Sequence, residues 1–291
     1  MKQMVSIHMP PHGGLAVAAK HLAVGYGGEA VMSDIDFNLE GGKVLALVGS
    51  NGSGKTTLLK TIAGLLPPIS GSIEVLGGAP LAKPSHVAYM GQFHPSSFML
   101  PLRAIDVVRM ARFASHGLLG RMTDKDGHAV SEAMARMGIS DLAKEPLNTL
   151  SGGQRQRVFL AQAFAREADL ILLDEPAANL DAPARDTYRR LVRELANAGR
   201  SVIVATHDID EAADYDWTML LAHRVVACGH VDEILTPETL LATFGIAGKY
   251  KEGRVIIVER EHGHEGCGEH QESPSTDPPH RHAHEHTHPQ S

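Results

Sequence analysis

The segment that most constrains the fold runs from Lys43 to Thr57 and reads KVLALVGSNGSGKTT. Its first part, Val44–Val48, is an apolar run with the length and β-branched content of a buried strand. Gly49–Thr56 then matches G-x-x-x-x-G-K-[ST] at every fixed position, and a helix-compatible run, Thr57–Ala63, follows. A strand, a glycine-rich loop and a helix in this order predict a phosphate-binding loop, because backbone N–H groups and the positive end of the helix dipole face the anion.

Two side chains of this loop have predicted roles of their own. Lys55 is expected to reach the β- and γ-phosphates of a nucleotide, and the hydroxyl of Thr56 to bind Mg²⁺. The alternative is a glycine-rich turn that binds nothing, but background composition would produce such a match in only about one chain in a hundred. The predicted nucleotide-binding residues of the loop are Gly49, Ser50, Asn51, Gly52, Ser53, Gly54, Lys55, Thr56 and Thr57.

Composition limits the class of protein. The chain has 291 residues, of which 43% are hydrophobic and 21% charged, which suits one large α/β domain with appendages. A formal net charge of −7 argues against a nucleic-acid partner. Residues 1–14 lack the apolar region of a signal peptide, no run approaches the ~20 apolar residues of a membrane span, and two cysteines form no disulfide framework. We therefore expect a cytosolic protein that reaches a membrane only through a partner.

The chain divides into three predicted parts. Residues 1–14 are an N-terminal extension, residues 15–249 a nucleotide-binding α/β domain, and residues 250–291 a C-terminal segment with a disordered, histidine-rich tail. Within the domain, residues from about 93 to 160 are expected to form a helical insertion. The predicted strands are Leu15–Tyr26, Val31–Leu39, Val44–Val48, Ser72–Leu76, His86–Met90, Leu170–Leu173, Val202–Ala205, Trp217–Leu221 and Val225–Cys228, and the predicted helices after the first are Arg103–Phe113, His128–Met137, Gln154–Arg166, Ala182–Ala198 and Pro237–Phe244.

Two carboxylates, Asp174 and Glu175, follow the apolar run Leu170–Leu173 directly. Ligands of nucleotide-binding α/β folds sit at the carboxyl ends of the strands, so Asp174 is placed to support Mg²⁺, directly or through water. Glu175, one residue on, is a natural acceptor for a proton from an attacking water. Two acids in a solvent-exposed loop are the alternative, and the preceding phosphate loop makes that alternative the weaker one.

The pentapeptide Leu150–Gln154, LSGGQ, opens a long helical pattern. Ser151 suits a helix N-cap, and a serine with two glycines at a helix start makes a site for an anion. A capped helix alone would explain the serine, but the whole pentapeptide, with the phosphate loop, resembles the ATP-binding subunit of an ABC transporter. The resemblance implies a P-loop NTPase cassette with a RecA-like core, a small antiparallel β subdomain and an α-helical insertion subdomain.

The resemblance covers about Leu15 to Lys249 and implies further roles. Tyr26 matches the aromatic residue that stacks on adenine, and His207 the histidine that contacts the γ-phosphate. Gly91 and Ala177-Ala178 depart from the usual pattern without removing a catalytic group. The implied catalytic residues are Glu175, His207, Gln92 and Lys55; the Mg²⁺ site comprises Thr56, Gln92 and Asp174; Ser151, Gly152, Gly153 and Gln154 act on the ATP of a partner subunit; and Asp181 belongs to the loop that crosses between two subunits.

The resemblance also implies partners. Two cassettes would form a head-to-tail homodimer, each ATP being held between one subunit's phosphate loop and the other's LSGGQ. A separate membrane permease and an extracytoplasmic metal-binding protein would complete an importer, with this chain on the cytoplasmic face of the bacterial inner membrane. The segment after Gln92, with Phe93, Phe98 and Leu102, is where the permease is expected to dock.

The cargo is predicted from two weaker features. Arg224–Phe244 and the segment after Gln92 resemble cassettes that serve zinc, manganese and iron importers. Neutral imidazole binds Zn²⁺ well, so the tail predicts zinc binding and zinc as the cargo. Import of manganese or of an iron chelate, a soluble ABC ATPase outside transport, and a metal-storage protein remain alternatives, as does a tail of accidental composition. The candidate tail ligands are His262, His264, His270, His280, His282, His284, His286 and His288, with Cys267 among them.

Overall fold

The structure is a computed structural model that describes residues 14–92, 102–113, 121–245, 248–251 and 254–257. Eleven strands lie in these ranges. They are β1 (Leu15–Tyr26), β2 (Glu29–Glu40), β3 (Val44–Val48), β4 (Ser70–Val75), β5 (Val87–Met90), β6 (Leu170–Asp174), β7 (Ser201–Thr206), β8 (Trp217–Leu221), β9 (Val225–Gly229), β10 (Gly248–Lys251) and β11 (Arg254–Ile257).

Eight α-helices accompany the strands in the same ranges, together with short 3₁₀ turns. No helix in the described part of the chain combines the length and apolar character needed to cross a lipid bilayer. The helices are α1 (Lys55–Ile62), α2 (Ala104–Phe113), α3 (Asp124–Arg136), α4 (Gly152–Ala165), α5 (Ala182–Asn197), α6 (Ile209–Ala212), α7 (Val231–Ile234) and α8 (Pro237–Phe244).

A six-stranded sheet in the order β5-β6-β7-β3-β8-β9 forms the centre of the fold. The pairs from β5 to β8 are parallel, and only the β8–β9 pair is antiparallel. Every residue of β3, β6 and β7 is buried, as expected of parallel strands covered on both faces. The register pairs Val48 with Thr206 and Asp174 with Ala205, so β3, β6 and β7 end together at one edge of the sheet.

Alternate residues of β3 supply two separate apolar cores, because successive side chains of a strand point to opposite faces. Leu45 and Leu47 pack with α1 and with a three-stranded antiparallel sheet of order β2-β1-β4. Val44, Ala46 and Val48 pack instead with the layer formed by α2, α3, α4 and α5. The mixed α/β architecture predicted from the apolar runs, a buried parallel core with a small antiparallel sheet and a helical insertion, is confirmed.

The helical layer between β5 and β6 is held together by the buried guanidinium of Arg112 at the end of α2. Its Nε donates to Asp126 Oδ1 at 2.8 Å, and its Nη1 donates to the Ala165 carbonyl at 2.9 Å and to Glu167 Oε2 at 2.8 Å. Asp126 also caps α3, since Thr123 and Asp126 form a capping box. One cation therefore joins the end of α2 to the start of α3 and the end of α4.

Several predicted boundaries are wrong by a few residues, and capping explains the larger errors. Helix α3 begins at Asp124 rather than His128, because Thr123 caps it, and α4 begins at Gly152 rather than Gln154, because Ser151 caps it. The phosphate-loop helix begins at Lys55 instead of Thr57. Strand β2 extends to Glu29 and Glu40, β4 spans Ser70–Val75 instead of Ser72–Leu76, and His86 lies in a 3₁₀ turn before β5.

Some predictions fall outside the described residues. These are the N-terminal extension up to residue 13, the docking residues Phe93 and Phe98, and the tail from residue 258 onward with all its candidate ligands. The proposed domain limits at 15 and 249 stay a prediction. Short helices α6 and α7, of one turn each, were not predicted, because four residues carry no readable periodicity.

Candidate nucleotide-binding site

The phosphate loop connects the end of β3 to the start of α1. Gly54 is the N-cap of α1 and has a φ of 105°, a conformation that side chains with a Cβ rarely adopt. Gly49 is required for a different reason: a Cβ there would overlap the carbonyl oxygen of Leu221 and lie 2.7 Å from Ser53 Oγ. Backbone at these two positions therefore admits only glycine without rearrangement.

Nine residues line one cleft of about 380 Å³ at the carboxyl edge of the central sheet. Two of them, Gln92 and Glu175, come from the ends of β5 and β6, far along the chain from the loop. The structure therefore brings together the loop, the predicted base and the predicted Mg²⁺-sensing glutamine. The lining consists of Asn51, Gly52, Ser53, Gly54, Lys55, Thr56, Thr57, Gln92 and Glu175.

Lys55 closes the loop on itself. Its Nζ donates to the carbonyl of Gly49 at 2.8 Å and to that of Ser50 at 3.0 Å, and the side chain is almost entirely buried. Burial lowers the pKa of Lys55, and the charges of Glu175 and Asp174 oppose that shift. The hydrogen bonds of this buried ammonium group within the described residues go to neutral carbonyls. A negatively charged phosphate would therefore stabilise its charge more strongly than these carbonyls do.

Asp174 ends β6 beneath the cleft and is only 1% exposed. Burial raises the pKa of Asp174, while the hydroxyl of Thr56 lowers it and the charge of Glu175 raises it further. Neither carboxylate oxygen forms a hydrogen bond of good geometry with another described residue. A desolvated carboxylate beside a threonine hydroxyl is an oxygen donor set of the kind Mg²⁺ uses, so these residues fit the ion.

Glu175 has an unusual backbone. Its φ of 50° lies in the left-handed region, which is costly for a residue with a long side chain. The conformation is held by its own N–H, which donates to the Ala205 carbonyl at 2.9 Å, and by Gln156, whose Nε2 donates to the carbonyls of Glu175 at 3.3 Å and of Pro176 at 2.8 Å. Strain that the surroundings maintain in this way fixes the direction of the Glu175 carboxylate.

His207 approaches this carboxylate from the next strand. It follows Thr206, the last residue of β7, and its Nδ1 lies 3.7 Å from Glu175 Oε2. The imidazole is 62% exposed, so one face is open to a ligand. His207 does not line the cleft itself, and reaches the site through Glu175.

The LSGGQ segment forms the start of α4, as predicted. Ser151 and Gln154 make a capping box: the Gln154 N–H donates to Ser151 Oγ at 3.2 Å, and the Ser151 N–H to Gln154 Oε1 at 2.9 Å. Gly153 approaches the Asn179 carbonyl so closely that a Cβ would lie 2.8 Å from it. Ser151 and Gly152 are exposed, and none of residues 151–154 lines the cleft of its own chain.

Two further predicted residues lie outside the cleft. Tyr26 ends β1 and is 47% exposed, and the turn Gly27-Gly28 follows it. Asp181 is the N-cap of α5: it accepts from the Ala184 N–H at 3.0 Å and pairs with Arg157 at 3.3 Å. Both side chains lie at the surface, where a ligand or a second protein could contact them.

Comparison with known proteins identifies the family. The sequence profile of the ABC transporter family matches residues 32–178, slightly more than half of the chain. The chain belongs to the ABC transporter family. Members of its ATP-binding family hydrolyse ATP, so the chain is an ATPase of that family, and the ABC cassette fold predicted from the motifs is confirmed.

The relatives of this ABC ATPase carry several cargo names. The manganese transport system ATP-binding protein MntB of Bacillus subtilis is 37% identical over 79% of this chain and 92% of that protein. The zinc transport system ATP-binding protein TroB of Treponema pallidum is 35% identical over 79% of this chain and 87% of that protein. The hemin import ATP-binding protein HmuV of Streptomyces coelicolor is 41% identical over 75% of this chain and 78% of that protein.

A solved structure agrees with the ABC assignment. It is described as an inward-facing conformation of an ABC transporter of the metal-chelate type. The two chains superpose with a TM-score of 0.72 and 28% identity, over 85% of this chain and 99% of the other.

Reasoning from the ABC motifs missed Gln156. This buried glutamine lies on the first turns of α4, two residues after the LSGGQ motif, and spans from that helix to the backbone of Glu175. A polar residue on the buried face of a helix was a signal available in the sequence. Gln156 therefore ties the helix of the LSGGQ motif to the strand that ends in the acidic pair.

A second polar cluster was also missed, on the antiparallel sheet of the ABC cassette. His21 Nδ1 lies 3.3 Å from Asp34 Oδ1 and 3.5 Å from Asp36 Oδ2, and the His21 N–H donates to Asp36 Oδ1 at 2.9 Å. Both His21 and Asp34 have left-handed backbones at bulges between β1 and β2. These contacts account for the convergence of the three side chains.

Proposed function

We propose that this ABC ATPase powers the import of a divalent metal ion, with zinc as the favoured cargo, through a separate membrane permease. The observation that carries the ATPase step is the single cleft that joins the phosphate loop to Gln92 and Glu175. The metal-importer part is supported by relatives named for manganese, zinc and hemin transport and by the likeness to a transporter of the metal-chelate type.

ATP binding begins at the surface and ends in the phosphate loop. Tyr26 would stack on the adenine, because it is the last residue of β1 and its ring is exposed. The triphosphate would lie along the glycine-rich loop, where Lys55 exchanges its two carbonyl partners for the β- and γ-phosphates. Remaining contacts would come from the backbone N–H groups of Ser50, Asn51, Ser53 and Thr57. The hydroxyls of the two serines and of Thr57 would add to them.

Three residues would hold Mg²⁺: Thr56, Asp174 and Gln92. The ion supplies charge neutralisation of the phosphate oxygens when bound. Neither oxygen of the buried Asp174 forms a hydrogen bond of good geometry within the described part of the chain, so both oxygens could coordinate a cation. Gln92, exposed at the end of β5, would orient the attacking water.

Hydrolysis follows from the position of Glu175. The water oxygen attacks the γ-phosphorus, the bond from that phosphorus to the β–γ bridging oxygen breaks, and the water proton passes to the Glu175 carboxylate. Lys55 and His207 steady the negative charge of the γ-phosphoryl group. The backbone of Glu175, fixed by Gln156, keeps the carboxylate aimed at that water.

A second copy of the chain would complete each site. Ser151, Gly152, Gly153 and Gln154 form a capped helix start, with Ser151 and Gly152 exposed, and none of the four lines the cleft of its own chain. Such a start binds an anion, so in a head-to-tail homodimer it would face the γ-phosphate held by the partner's loop. Asp181, exposed at the start of α5, would cross to that partner.

The partners, the location in the cell and the transported ion complete the proposed function. The chain would act with a separate membrane permease and an extracytoplasmic metal-binding protein, on the cytoplasmic face of the inner membrane; relatives named for metal transport support the transporter part of this proposal. Zinc is favoured over manganese or an iron chelate by the histidines of the tail, which would bind Zn²⁺. A soluble ABC ATPase without a permease is the second candidate function.

Metal uptake in a strain that lacks this chain tests the proposal. We expect the wild-type gene to restore uptake of radioactive zinc, and the Glu175→Gln variant to restore none. Restoration of manganese or of chelated iron alone would replace zinc as the cargo. Wild-type ATPase activity without restored uptake of any metal would favour the soluble ATPase.

Replacing the eight tail histidines by serine separates a role of the tail from the identity of the cargo. Unchanged zinc uptake and unchanged zinc binding by the full chain would remove the tail from the proposal.

A further inference from the structure

The turn that carries His207 is short and has little local stability of its own. It lies between Thr206 at the end of β7 and α6, a helix of one turn that is far too short to be stable alone. Asp208 caps α6 by accepting from the N–H groups of Asp210 at 2.9 Å and Glu211 at 3.3 Å. Something outside the turn must therefore hold His207 in place.

A buried polar cluster lies directly behind this turn. Glu211 is only 1% exposed, and its Oε1 is 3.2 Å from the hydroxyl of Tyr215. That hydroxyl is also 3.3 Å from the hydroxyl of Tyr188, which is fully buried on α5. A carboxylate taken this far out of water is tolerated only where hydrogen-bond donors surround it.

The side chain of Glu211 also interacts with Thr206, the residue that precedes His207. The hydroxyls of Thr206 and Tyr188 lower the pKa of Glu211 by hydrogen bonding, against the larger raising effect of burial. The Asp208 N–H donates in turn to Thr206 Oγ1 at 3.0 Å. Glu211 is thus connected to the residues on both sides of His207: to Thr206 through its side chain, and to Asp208 through its own N–H, which donates to Asp208 Oδ1 at 3.3 Å.

An outer set of ion pairs repeats the connection to α5. Arg189 of α5 contacts Asp208 at 3.6 Å and Asp214 at 3.4 Å, and Arg193, one turn further along α5, also pairs with Asp214. The turn is therefore bound to α5 from two sides. Helix α5 is capped at its start by Asp181, the residue proposed to cross to the second subunit.

We infer that Glu211 is a positioning residue for His207, which it holds through Thr206 and Asp208 and connects, through the hydroxyls of Tyr215 and Tyr188, to α5, the helix that Asp181 caps. The inference rests on the proposed contact of His207 with the γ-phosphate. Glu211 is not among the residues that line the nucleotide cleft, so it would act only through its neighbours. Its removal loosens the turn, so the imidazole no longer reaches the γ-phosphoryl group in the transition state.

The first experiment measures ATP hydrolysis and MgATP binding by the full-length chain and its Glu211→Gln variant. A glutamine keeps the shape but offers one acceptor oxygen to the surrounding hydroxyls, so we expect kcat to fall about tenfold or more while KM changes less than about twofold. Asp210→Asn, exposed on the same helix, is the matched control and should keep wild-type turnover. Wild-type kcat in Glu211→Gln, or an equal loss in Asp210→Asn, would overturn the inference.

A double-mutant cycle separates positioning from a general loss of structure. If Glu211 acts through His207, Glu211→Gln should lower single-turnover hydrolysis no further once His207→Ala is present. Multiplying effects would overturn the inference. Failure of the proposed ATP hydrolysis looks different, since the wild-type chain would then hydrolyse no MgATP, and failure of metal import alone would leave hydrolysis by all these variants unchanged.

Two variants of Thr206 test the inference even if the Glu211→Gln variant does not fold. Thr206→Val removes the bridging hydroxyl and Thr206→Ser keeps it, so we expect hydrolysis to fall in the first and to recover in the second. Amide hydrogen exchange over residues 206–212 should accelerate only in the valine variant. Equal activity and equal exchange in the two variants would contradict the inference.

Discussion

The Nδ1 of His207 lies 3.7 Å from Oε2 of Glu175, and the two residues follow adjacent parallel strands. Parallel pairing of β6 with β7 ends both strands at one edge of the sheet, the same edge at which the phosphate loop follows β3. The pairing therefore presents a carboxylate that can accept a proton and an imidazole that can contact a phosphate to the same small volume.

Glu175→Gln tests the base directly. The amide cannot accept the proton of the attacking water, so we expect turnover to fall by about 10²- to 10³-fold. Affinity for MgATP should be unchanged or slightly higher, because removing the charge beside Lys55 does not disturb the loop. Turnover by phosphate release and affinity by equilibrium dialysis are the measurements. Glu74→Gln, exposed on β4, is the control, and near-normal turnover in Glu175→Gln would disprove the assignment.

Gly49→Ala tests the packing of the phosphate loop. The new Cβ would overlap the Leu221 carbonyl, which is backbone and cannot rotate away, so we expect a loss of about 1–3 kcal/mol in the free energy of unfolding. Gly127→Ala, within α3 and with open space at its Cβ, is the control. It should stabilise the chain by up to about 1 kcal/mol, since alanine is the better helix former. Urea unfolding of both variants decides, and equal stability would contradict the packing argument.

Asp174→Asn separates stability from function. Burial raises the pKa of Asp174, so this carboxyl favours the folded chain most at low pH, and that contribution is lost as the pH rises through the folded pKa. At neutral pH the nucleotide-free protein carries an unfavourable buried charge, which asparagine removes. We expect Asn to raise the melting temperature by about 2–4 °C without ligand, a shift equivalent to roughly 1 kcal/mol.

The same variant should lose its response to magnesium. Adding Mg²⁺ with ATP should stabilise the wild-type chain by far more than Asp174→Asn, because a bound ligand stabilises only in proportion to its affinity. Melting curves between pH 5 and 8, with and without MgATP, provide the measurement. An asparagine variant that melts lower than the wild type without ligand would show that Asp174 is structurally satisfied.

Much of the site was predictable because its signals are local. The phosphate loop, the acidic pair after β6 and the capped start of α4 each occupy a few consecutive residues, and the backbone geometry there depends on glycines and caps that a sequence displays. Contacts between distant segments were not predictable in this way. Gln156 contacts the backbone of Glu175, and Tyr188 interacts with Glu211, because of the way α4 and α5 pack in the fold. Hydrophobic periodicity alone does not reveal that packing.

The head-to-tail homodimer is tested by mixing two inactive variants. Lys55→Ala removes the cation from one loop, and Ser151→Arg blocks the exposed helix start that would face the partner's phosphate. Each variant alone should hydrolyse almost no ATP, because every site in its homodimer contains one defective half. In a mixed dimer, one site combines the intact loop of the second variant with the intact Ser151 of the first.

Equal mixing should therefore restore up to about a quarter of wild-type turnover, since half of the dimers are mixed and one of their two sites is whole. Arg155→Ala, next to the LSGGQ motif but bonded back to the Leu150 carbonyl, serves as the control partner for Lys55→Ala. With an intact Ser151 it should be active before mixing. Mixtures of Lys55→Ala and Ser151→Arg that stay inactive, at concentrations where light scattering shows dimers with ATP, would mean that the loop and the LSGGQ motif do not meet across subunits.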